Sequence, residues 1–309
     1  MKVLNKNEEL KKPDGASFKG YARIGNYSEA PTKNGGSYLN GTLQAVGDVP
    51  FKVWGGACFN VMYEKDFSGE IVGIEGTVNE YNGTKSFIIT GIYELDEGDL
   101  ERDGVKESDF FETKYDIDAY WNKLSTKLQK NVSKEAFEVF NLVMSDWVER
   151  FKEEFAAVHY HDNCKGGLLA HTTKVVQICS ILKMYPNISG RVSNDVLYVG
   201  AALHDVGKII EYSNGITSKT GNLLSHNILG ILLLEKHRDE IIKLKGEEYY
   251  NIMLSIISQH HGDYGDRPRT VAAYIVHQFD LLESNLALLE QTIIDSPTET
   301  IKFDSYKLS

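Results

Sequence analysis

The stretch LYVGAALHDVGKIIEY, residues 197–212, places an adjacent histidine and aspartate within a long apolar run. The apolar residues before His204 predict a buried helix, and Gly207 predicts the point at which that helix ends or bends. Imidazole and carboxylate groups are common ligands of Mn, Fe and Zn, and one carboxylate can bridge two ions. The pair His204-Asp205 is therefore the first candidate for a metal site.

The same side-chain types recur on both sides of this pair. They form the ordered series His171, His204-Asp205, His226, His260-His261 and Asp280. All nine histidines of the chain lie between His159 and His277, and five of them belong to the series. Successive members are separated by 33, 22, 34 and 19 residues. Each gap fits one helix plus a loop, so successive helices of a bundle can bring one ligand each to a common centre.

Hydrophobic periodicity predicts that the C-terminal part of the chain is helical. The predicted helices cover residues 117–130, 133–155, 168–185, 194–212, 225–239, 246–261 and 270–294. Ser133 and the Ser193-Asn194-Asp195 segment are typical of helix N-termini, because their side chains can accept hydrogen bonds from the first turn. The residues after Asp295 are polar and are predicted to be irregular.

Residues 17–94 are predicted to form five short strands instead. Asn82-Gly83 separates two β-rich runs and is a strong hairpin signal, because both turn positions require positive φ. A short helix is predicted over residues 58–67, between the third and fourth strands. This pattern favours a small closed barrel of the OB type, with an SH3-like barrel as the alternative.

Acidic residues are concentrated in one segment between these two regions. The formal net charge of the chain is −11, but residues 1–95 carry ten Lys/Arg and eleven Asp/Glu. Residues 96–118 carry three basic and ten acidic residues. We therefore predict a barrel over residues 1–95, an acidic linker over 96–118 and an all-α domain over 119–309. The total charge does not exclude a phosphate-rich substrate.

Composition also bears on the cellular location. Cys58, Cys164 and Cys179 are few and not closely paired, which is typical of free thiols in a reducing compartment. None of them has the sequence surroundings of a nucleophile. The polar N-terminus lacks a signal peptide, and no apolar stretch is long enough for a membrane span. We expect a cytoplasmic protein that does not contact membranes.

The ordered ligand series resembles that of the HD-domain metal phosphohydrolases. The segments GGLLAHT (166–172), LLSHN (223–227), SQHHG (258–262) and HQFDLLES (277–284), together with residues 197–212, extend the match. With a barrel in front of them, they resemble the YhaM-type 3′→5′ exoribonucleases. The resemblance covers nearly the whole chain, from about Phe18 to the tail.

The resemblance implies a metal-dependent phosphodiesterase that removes nucleotides from the 3′ end of RNA, with single-stranded DNA as a further substrate. It also implies a homo-oligomer. We expect two divalent transition-metal ions, with manganese favoured over iron or zinc. One ion would be held by His171, His204, Asp205 and Asp280. Asp205 would bridge to a second ion held by His226, His260 and His261.

Two residues are candidates for direct roles in catalysis. Two ions can activate a water molecule for attack on phosphorus, and Asp205 can handle the proton of that water. Lys208, one helical turn after His204, can place its ammonium group on a phosphate oxygen. His161 is a further candidate for substrate contact.

Base stacking on exposed aromatic residues is how OB-type barrels hold single strands. The candidate residues of the barrel are Tyr38, Phe51, Trp54, Tyr81 and Phe87, with Arg23, Lys52 and Lys85 as cationic neighbours. Within this set, Tyr38, Trp54 and Lys85 are the residues that we predict to contact substrate.

Two other functions fit the same residues. An HD phosphohydrolase of small or cyclic nucleotides would use the barrel for regulation or assembly. A nucleic-acid-binding protein without activity would use the helical domain only as a scaffold.

Overall fold

The computed structural model describes residues 1–33, 35–45, 47–81, 83–110, 114–157, 164–262, 265–295, 301–303 and 306–308. They form two compact units, Met1–Glu112 and Thr113–Ser309. The boundary between the units falls inside the acidic segment 96–118.

The N-terminal unit is a closed five-stranded barrel. After the short helix α1 (Lys6–Glu9) come the strands β1 (Ser17–Pro31), β2 (Ser37–Ala45), β3 (Gly47–Val53), β4 (Ile71–Tyr81) and β5 (Thr84–Tyr93). The strand order is β1-β2-β3-β5-β4, with β4 also paired to β1. Helix α2 (Ala57–Glu64) connects β3 to β4. This arrangement confirms the predicted OB-like barrel.

Local chemistry explains the hairpin that the sequence predicts between β4 and β5. Tyr81 pairs with Thr84, and Gly83 adopts a φ of 77°, which residues with a Cβ rarely adopt. At the other end of this pair the register shifts between Glu75 and Gly76. A Cβ on Gly76 would lie 2.0 Å from the carbonyl oxygen of Ile88, so only glycine allows the two strands to approach at this bulge.

Part of the acidic segment is structured within the barrel unit. Residues Asp99–Arg102 form helix α3, and Glu107–Phe110 form a 3-10 turn. The carboxylate of Asp103 accepts a hydrogen bond from the hydroxyl of Tyr21 at 2.7 Å and pairs with the N-terminal amino group. These contacts attach the segment to β1.

The C-terminal unit is a helical bundle, as predicted. Its helices are α4 (Ile117–Asn131), α5 (Lys134–Met144), α6 (Val148–Glu153), α7 (Gly167–Ile178), α8 (Pro186–Ser189), α9 (Asn194–Leu203), α10 (Lys208–Glu211), α11 (His226–Glu235), α12 (Arg238–Lys245), α13 (Glu247–Gln259) and α14 (Val271–Asp295). A 3-10 helix, Cys179–Met184, follows α7. Ser133 and Ser193 cap α5 and α9 as predicted, accepting hydrogen bonds from the backbone of Ala136 and Val196.

Helix α9 lies at the centre of this bundle. Every residue from Val196 to Leu203 is buried, and α4, α5, α7, α13 and α14 all contact α9. Because α9 is enclosed on all sides, its sequence is apolar on every face rather than on one stripe. The histidine that follows Leu203 is consequently held inside the bundle.

Some helices are shorter than the periodicity predicts. The predicted helix 133–155 is interrupted at residues 145–147, and the predicted helix 194–212 is interrupted at residues 204–207. The second break has a clear packing reason. A Cβ on Gly207 would lie 1.9 Å from the carbonyl oxygen of His226, so the turn at Gly207 packs directly against the start of α11.

Two small hairpins accompany the helices. One joins β6 (Tyr212–Ser213) to β7 (Ile216–Thr217), and the other joins β8 (Ile301–Phe303) to β9 (Tyr306–Leu308). The prediction of an irregular tail was therefore wrong for residues 301–303 and 306–308, where local pairing between adjacent strands forms the second hairpin. Among the described helices none has the length and apolar character needed to cross a membrane.

Candidate metal centre

The helical bundle brings the seven predicted metal ligands into one buried site. Two groups of side chains offer ligand atoms that all lie within 4.8 Å of one another inside each group. The first group is His171 of α7, His204 after α9 and Asp280 of α14; the second is His226 at the start of α11 with His260 and His261 after α13. Residues more than 100 positions apart in the sequence therefore share a site.

Asp205 lies between the two groups and presents one oxygen to each. Its Oδ2 is 3.4 Å from Nε2 of His171 and 3.4 Å from Nε2 of His204. Its Oδ1 is 3.3 Å from Nε2 of His260 and 3.5 Å from Nε2 of His226. A carboxylate with this placement can bridge two cations.

The Nδ1 atoms of four of these histidines are engaged by other groups. Nδ1 of His204 is 2.8 Å from the carbonyl oxygen of Ala201, and Nδ1 of His260 is 3.0 Å from that of Ile257. A carbonyl can only accept, so both Nδ1 atoms donate. The hydrogen bonds leave the Nε2 lone pairs directed at the site, which is the arrangement that metal-binding histidines require.

Carboxylates hold the other two histidines. Oε2 of Glu283 is 2.5 Å from Nδ1 of His171, and Oε2 of Glu211 is 2.7 Å from Nδ1 of His226. Each metal-ligand group therefore contains one carboxylate–histidine pair, which orients the ring and increases its basicity toward a cation.

Two buried polar atoms at the centre of the site have no hydrogen-bond partner in the described part of the chain, and a metal ion would provide a binding partner. Oδ1 of Asp205 and Nε2 of His260 are both buried, and neither makes a hydrogen bond to the described residues. Burying a carboxylate oxygen without a partner is costly. Five imidazoles and two carboxylates, with these unsatisfied atoms facing each other, form a donor set suited to first-row divalent metals.

The electrostatics keep three of the candidate ligands, Asp205, His260 and His261, in the protonation states that bind metal. Burial alone would raise the pKa of Asp205, but Lys208 and His204 outweigh it and hold this pKa well below its ordinary value. Burial lowers the pKa of His260, and burial together with the neighbouring His260 and His226 lowers the pKa of His261 to about 3. Near neutral pH, Asp205 is therefore anionic while His260 and His261 are neutral.

His171 behaves differently because it faces three carboxylates. Burial opposes its protonation, but Asp205, Asp280 and Glu283 outweigh burial and raise its pKa. Burial also opposes the ionisation of Asp280, yet hydrogen bonding to His171 lowers the pKa of Asp280. The first ligand group thus carries excess negative charge, which a proton or a metal cation can balance.

Lys208 contacts the bridging carboxylate. Its Nζ donates to Oδ2 of Asp205 at 2.7 Å, and its side chain is 13% exposed. Lys208 is the first residue of α10, just after the turn at Gly207. The structure therefore brings Lys208 to the metal-ligand cluster; its contact with a phosphate oxygen stays a prediction.

Sequence interpretation missed two residues of this site. Glu283 follows Asp280 by three residues on α14, a spacing that places both on one helix face and that could have identified it. Glu211 ends the HDVGKIIE segment, but nothing in its spacing singles it out. His277 donates from Nδ1 to the carbonyl oxygen of His260 at 2.6 Å and so supports the turn that carries His260 and His261.

The barrel residues predicted to contact substrate divide into exposed and engaged groups. Trp54 is 43% exposed, its ring lies 4.7 Å from that of Tyr38, and Nζ of Lys52 lies within 6 Å of both rings. Tyr81 is also exposed. By contrast, Nζ of Lys85 donates to the carbonyl oxygens of Leu10 and Lys12, each at 2.8 Å. Lys85 thus tethers the N-terminal segment.

Three of the other barrel candidates are not surface groups. Phe51 and Phe87 are buried in the barrel core, because both point inward from paired positions on β3 and β5. Arg23 is buried and donates to Oε1 of Gln44 at 2.6 Å. Phe51, Phe87 and Arg23 are therefore not available to contact a strand. His161 lies outside the described residues.

The thiols agree with the prediction that no cysteine acts as a nucleophile. All three cysteines are buried thiols outside any disulfide. Burial raises the pKa of Cys58 to about 11 and that of Cys179 to about 12, so both stay protonated near neutral pH.

Comparison with known proteins agrees with this geometry. The family model of the HD domain matches residues 168–285, a range that contains all seven metal-ligand candidates. The helical unit therefore contains an HD domain, as the ordered ligand series implies.

Relatives of the whole chain share one name. The chain is 27% identical to the 3′-5′ exoribonuclease YhaM of Listeria monocytogenes serotype 4b over 281 residues, which cover 84% of this chain and 82% of that protein. It is 26% identical to the protein of the same name from Oceanobacillus iheyensis over 293 residues, covering 90% and 87%. For the Geobacillus sp. protein of that name the identity is 24% over 286 residues, covering 88% and 84%.

Among solved structures, the mitochondrial single-stranded DNA binding protein Rim1 of S. cerevisiae matches part of the chain. The match has a TM-score of 0.24 and 22% identity, and covers 28% of this chain and all of Rim1. A likeness at this level carries no conclusion about function.

Proposed function

We propose that this protein is a metal-dependent 3′→5′ exoribonuclease that cleaves single-stranded RNA by hydrolysis of phosphodiester bonds. The observation that carries the proposal is the position of Asp205, whose two oxygens face two separate groups of imidazole ligands. Paired cation sites of this kind suit in-line displacement at phosphorus. The name shared by relatives along most of the chain supports RNA as the substrate and the 3′ end as the starting point.

Two ions fit the ligand set. His171, His204 and Asp280 with Oδ2 of Asp205 would hold one ion, and His226, His260 and His261 with Oδ1 of Asp205 would hold the other. When bound, the ions supply an activated water and neutralise negative charge at the scissile phosphate. Manganese is the ion that we propose, with iron or zinc as alternatives, since all three accept mixed nitrogen and oxygen ligands.

The protein's own side chains provide orientation and charge. Glu283 and Glu211 hold His171 and His226 in the tautomer that leaves Nε2 free for binding. Lys208 keeps Asp205 ionised and fixes the rotation of its carboxylate through Oδ2. Because Lys208 is the nearest ammonium group to the bridging carboxylate, we assign it also to a non-bridging phosphate oxygen of the substrate.

The barrel contributes affinity for the strand in this proposal. The exposed ring of Trp54 packs against the half-buried ring of Tyr38, and Lys52 adds a positive charge beside them. Stacking on such rings does not depend on the 2′-hydroxyl, so we propose that single-stranded DNA is also accepted.

The test is hydrolysis of labelled strands. Metal-free protein is reloaded with Mn²⁺ and incubated with RNA labelled at its 5′ end. We expect labelled products that shorten progressively and release of nucleoside 5′-monophosphates. Replacing Asp205 with asparagine should slow hydrolysis by more than about 100-fold, because losing even an indirect partner of a metal ligand costs about 10- to 100-fold. Asp239→Asn, at an exposed aspartate of α12, is the matched control.

Other outcomes separate this function from the alternatives. Intact RNA with every metal tested would refute the exonuclease proposal. Cleavage of cyclic or small nucleotides with oligomers left intact would instead identify a small-nucleotide phosphohydrolase.

A further inference from the structure

A groove of about 750 Å³ lies on the surface of the helical unit, and its lining includes none of the seven metal-ligand candidates. Helix α4 forms one wall of the groove, and the end of α7 with the following 3-10 helix forms the other. Its lining is polar and basic, made up of Ala119, Asn122, Lys123, Thr126, Lys127, Lys130, Asn131, Gln177 and Lys183.

All charged residues that line this groove are positive. Four lysines line it and no acidic residue does. Among the described residues, none of these four lysines has a carboxylate partner within ion-pair distance, whereas Lys152, Lys165 and Lys236 of the same unit each pair with an acid. Exposed protein surfaces usually mix charges of both signs. An unpaired basic groove in a chain of net charge −11 therefore marks a site for an anion.

The lysines come from two separate elements. Lys123, Lys127 and Lys130 recur at helical spacing on α4, on the face beside the buried residues Leu124 and Leu128. Lys130 and Lys183 each lie in the last turn of their own helix, where a cation stabilises the helix dipole. This does not account for Lys123 and Lys127, or for the position of all four lysines along one groove. Convergence of two elements points to a binding surface.

The spacing of the lysines fits a linear polyanion. At a rise of about 1.5 Å per residue, Lys127 and Lys130 lie about 6 and about 10 Å along α4 from Lys123. Such a row can contact successive phosphates of an extended strand. The Nζ of Lys127 also donates to Oγ of Ser180 at 2.5 Å, which holds this ammonium group between the two walls.

The neutral residues of the lining add hydrogen-bonding groups to the positive charge of the lysines. Asn122, Asn131 and Gln177 offer amide groups that can bond phosphate or sugar oxygens. No aromatic ring lines the groove, so it offers no platform for base stacking.

The groove is also near the catalytic site without being part of it. Gln177 follows His171 by six residues on α7, which corresponds to about 9 Å along the helix and about 240° around it. Gln177 is exposed whereas His171 is buried. A strand that contacts both therefore has to pass around α7.

We propose that this four-lysine groove binds the phosphodiester backbone of the single-stranded RNA substrate, upstream of the 3′ end that is hydrolysed. The proposal rests on the exoribonuclease function proposed above. It adds a second contact region, within the HD-domain unit, that makes affinity increase with strand length.

Binding of unstructured RNA to the full chain tests the groove separately from catalysis. A fluorescent oligouridylate of about 30 nucleotides is titrated by anisotropy in EDTA, at about 50 to about 300 mM salt. The variant carries Lys123→Gln, Lys130→Gln and Lys183→Gln. Loss of three phosphate contacts should weaken binding about 10- to 100-fold at the lowest salt and reduce the logarithmic salt dependence by about 2.

The matched control carries Lys11→Gln, Lys236→Gln and Lys243→Gln, with the same change in net charge at exposed positions elsewhere. It should bind RNA like the unmodified protein, and both variants should keep the same melting temperature. Turnover of bis(p-nitrophenyl) phosphate, which is too small to reach the groove, should be unchanged in both.

Equal affinity and equal salt dependence for the groove variant and the control would overturn the proposal. Competition by polyglutamate as strong as that by RNA would overturn the assignment to RNA. If the unmodified protein hydrolyses no RNA but the groove variant still binds it more weakly, the groove stands and the exoribonuclease proposal fails.

Discussion

Replacing Glu283 with glutamine removes one negative charge beside His171 while it preserves the shape of the side chain. Glu283 is 3% exposed, and its Oε2 lies 2.5 Å from Nδ1 of His171. Its Oε1 is 3.1 Å from Nζ of Lys174. The glutamine can still accept a hydrogen bond from Nδ1, but it no longer increases the basicity of the ring through its charge.

The size of the effect follows from the change in hydrogen-bond type. A hydrogen bond to a charged group contributes about 1.5–3 kcal/mol, and a neutral one contributes about 0.5–1.5 kcal/mol. The difference of about 1–1.5 kcal/mol corresponds to about a tenfold weaker binding of the ion held by His171, His204 and Asp280. Replacement with alanine, which removes the acceptor as well, should approach about 100-fold.

Calorimetric titration of metal-free protein with Mn²⁺ measures this change. We expect the affinity of one ion to fall and that of the other, held by His226, His260 and His261, to stay the same. Glu211→Gln is the matched variant, because Glu211 holds His226 as Glu283 holds His171. Glu211→Gln should instead lower the affinity for the ion held by His226, His260 and His261.

The reasoning would be refuted if Glu283→Gln left both Mn²⁺ affinities unchanged, or if it lowered both affinities equally. Thermal unfolding of the metal-free variant provides the necessary control. A large loss of stability without metal would show that Glu283 supports the fold rather than the ligand.

Three further predictions concern the barrel, the stability of the bundle and its packing. Trp54→Ala should weaken RNA binding measured by anisotropy by about 1–3 kcal/mol without changing the melting temperature, and unchanged affinity would exclude stacking on this ring. Burial would raise the pKa of Asp195, but hydrogen bonds from Lys245 and Ser133 outweigh burial and lower this pKa. The ionised carboxylate therefore stabilises the fold above about pH 4, and this contribution is lost as the pH falls through the folded-state pKa. Asp195→Asn should accordingly lower stability by about 1–2 kcal/mol at neutral pH and by less near pH 3, and a pH-independent difference in urea unfolding would contradict this. Gly207→Ala should lower the free energy of unfolding by about 3 kcal/mol in the same assay, because the added Cβ would overlap the carbonyl oxygen of His226. An unchanged free energy of unfolding would show that the turn can move.

The sequence predicted the barrel and the bundle well because both depend on local signals. Alternation and the turn at Gly83 define neighbouring strands, and capping by Ser133 and Ser193 defines helix starts. Helix ends were less predictable. The interruption at residues 204–207 results from contact with His226. His226 belongs to a later segment, so the hydrophobic periodicity of residues 194–212 gives no information about this contact.

Burial of individual barrel residues also required the three-dimensional structure. Phe51 and Trp54 are three positions apart, which places them on opposite faces of an extended chain but does not say which face is inside; Phe51 fills the core and Trp54 lies on the surface. The register of β3 against β5 decides this, since Phe51 pairs with Phe87 inside the barrel.

The amino-acid sequence by itself determined which side chains are candidate metal ligands, because imidazole and carboxylate groups are chemical properties of the residues and their order is a property of the chain. Only the tertiary structure decided how those ligands divide into two groups, that Asp205 faces both, and that Glu283 and Glu211 orient two of the histidines. The physical reason is distance: a ligand set forms over a few ångströms between residues far apart in the chain, and only the packing of α7, α9, α11, α13 and α14 sets those distances.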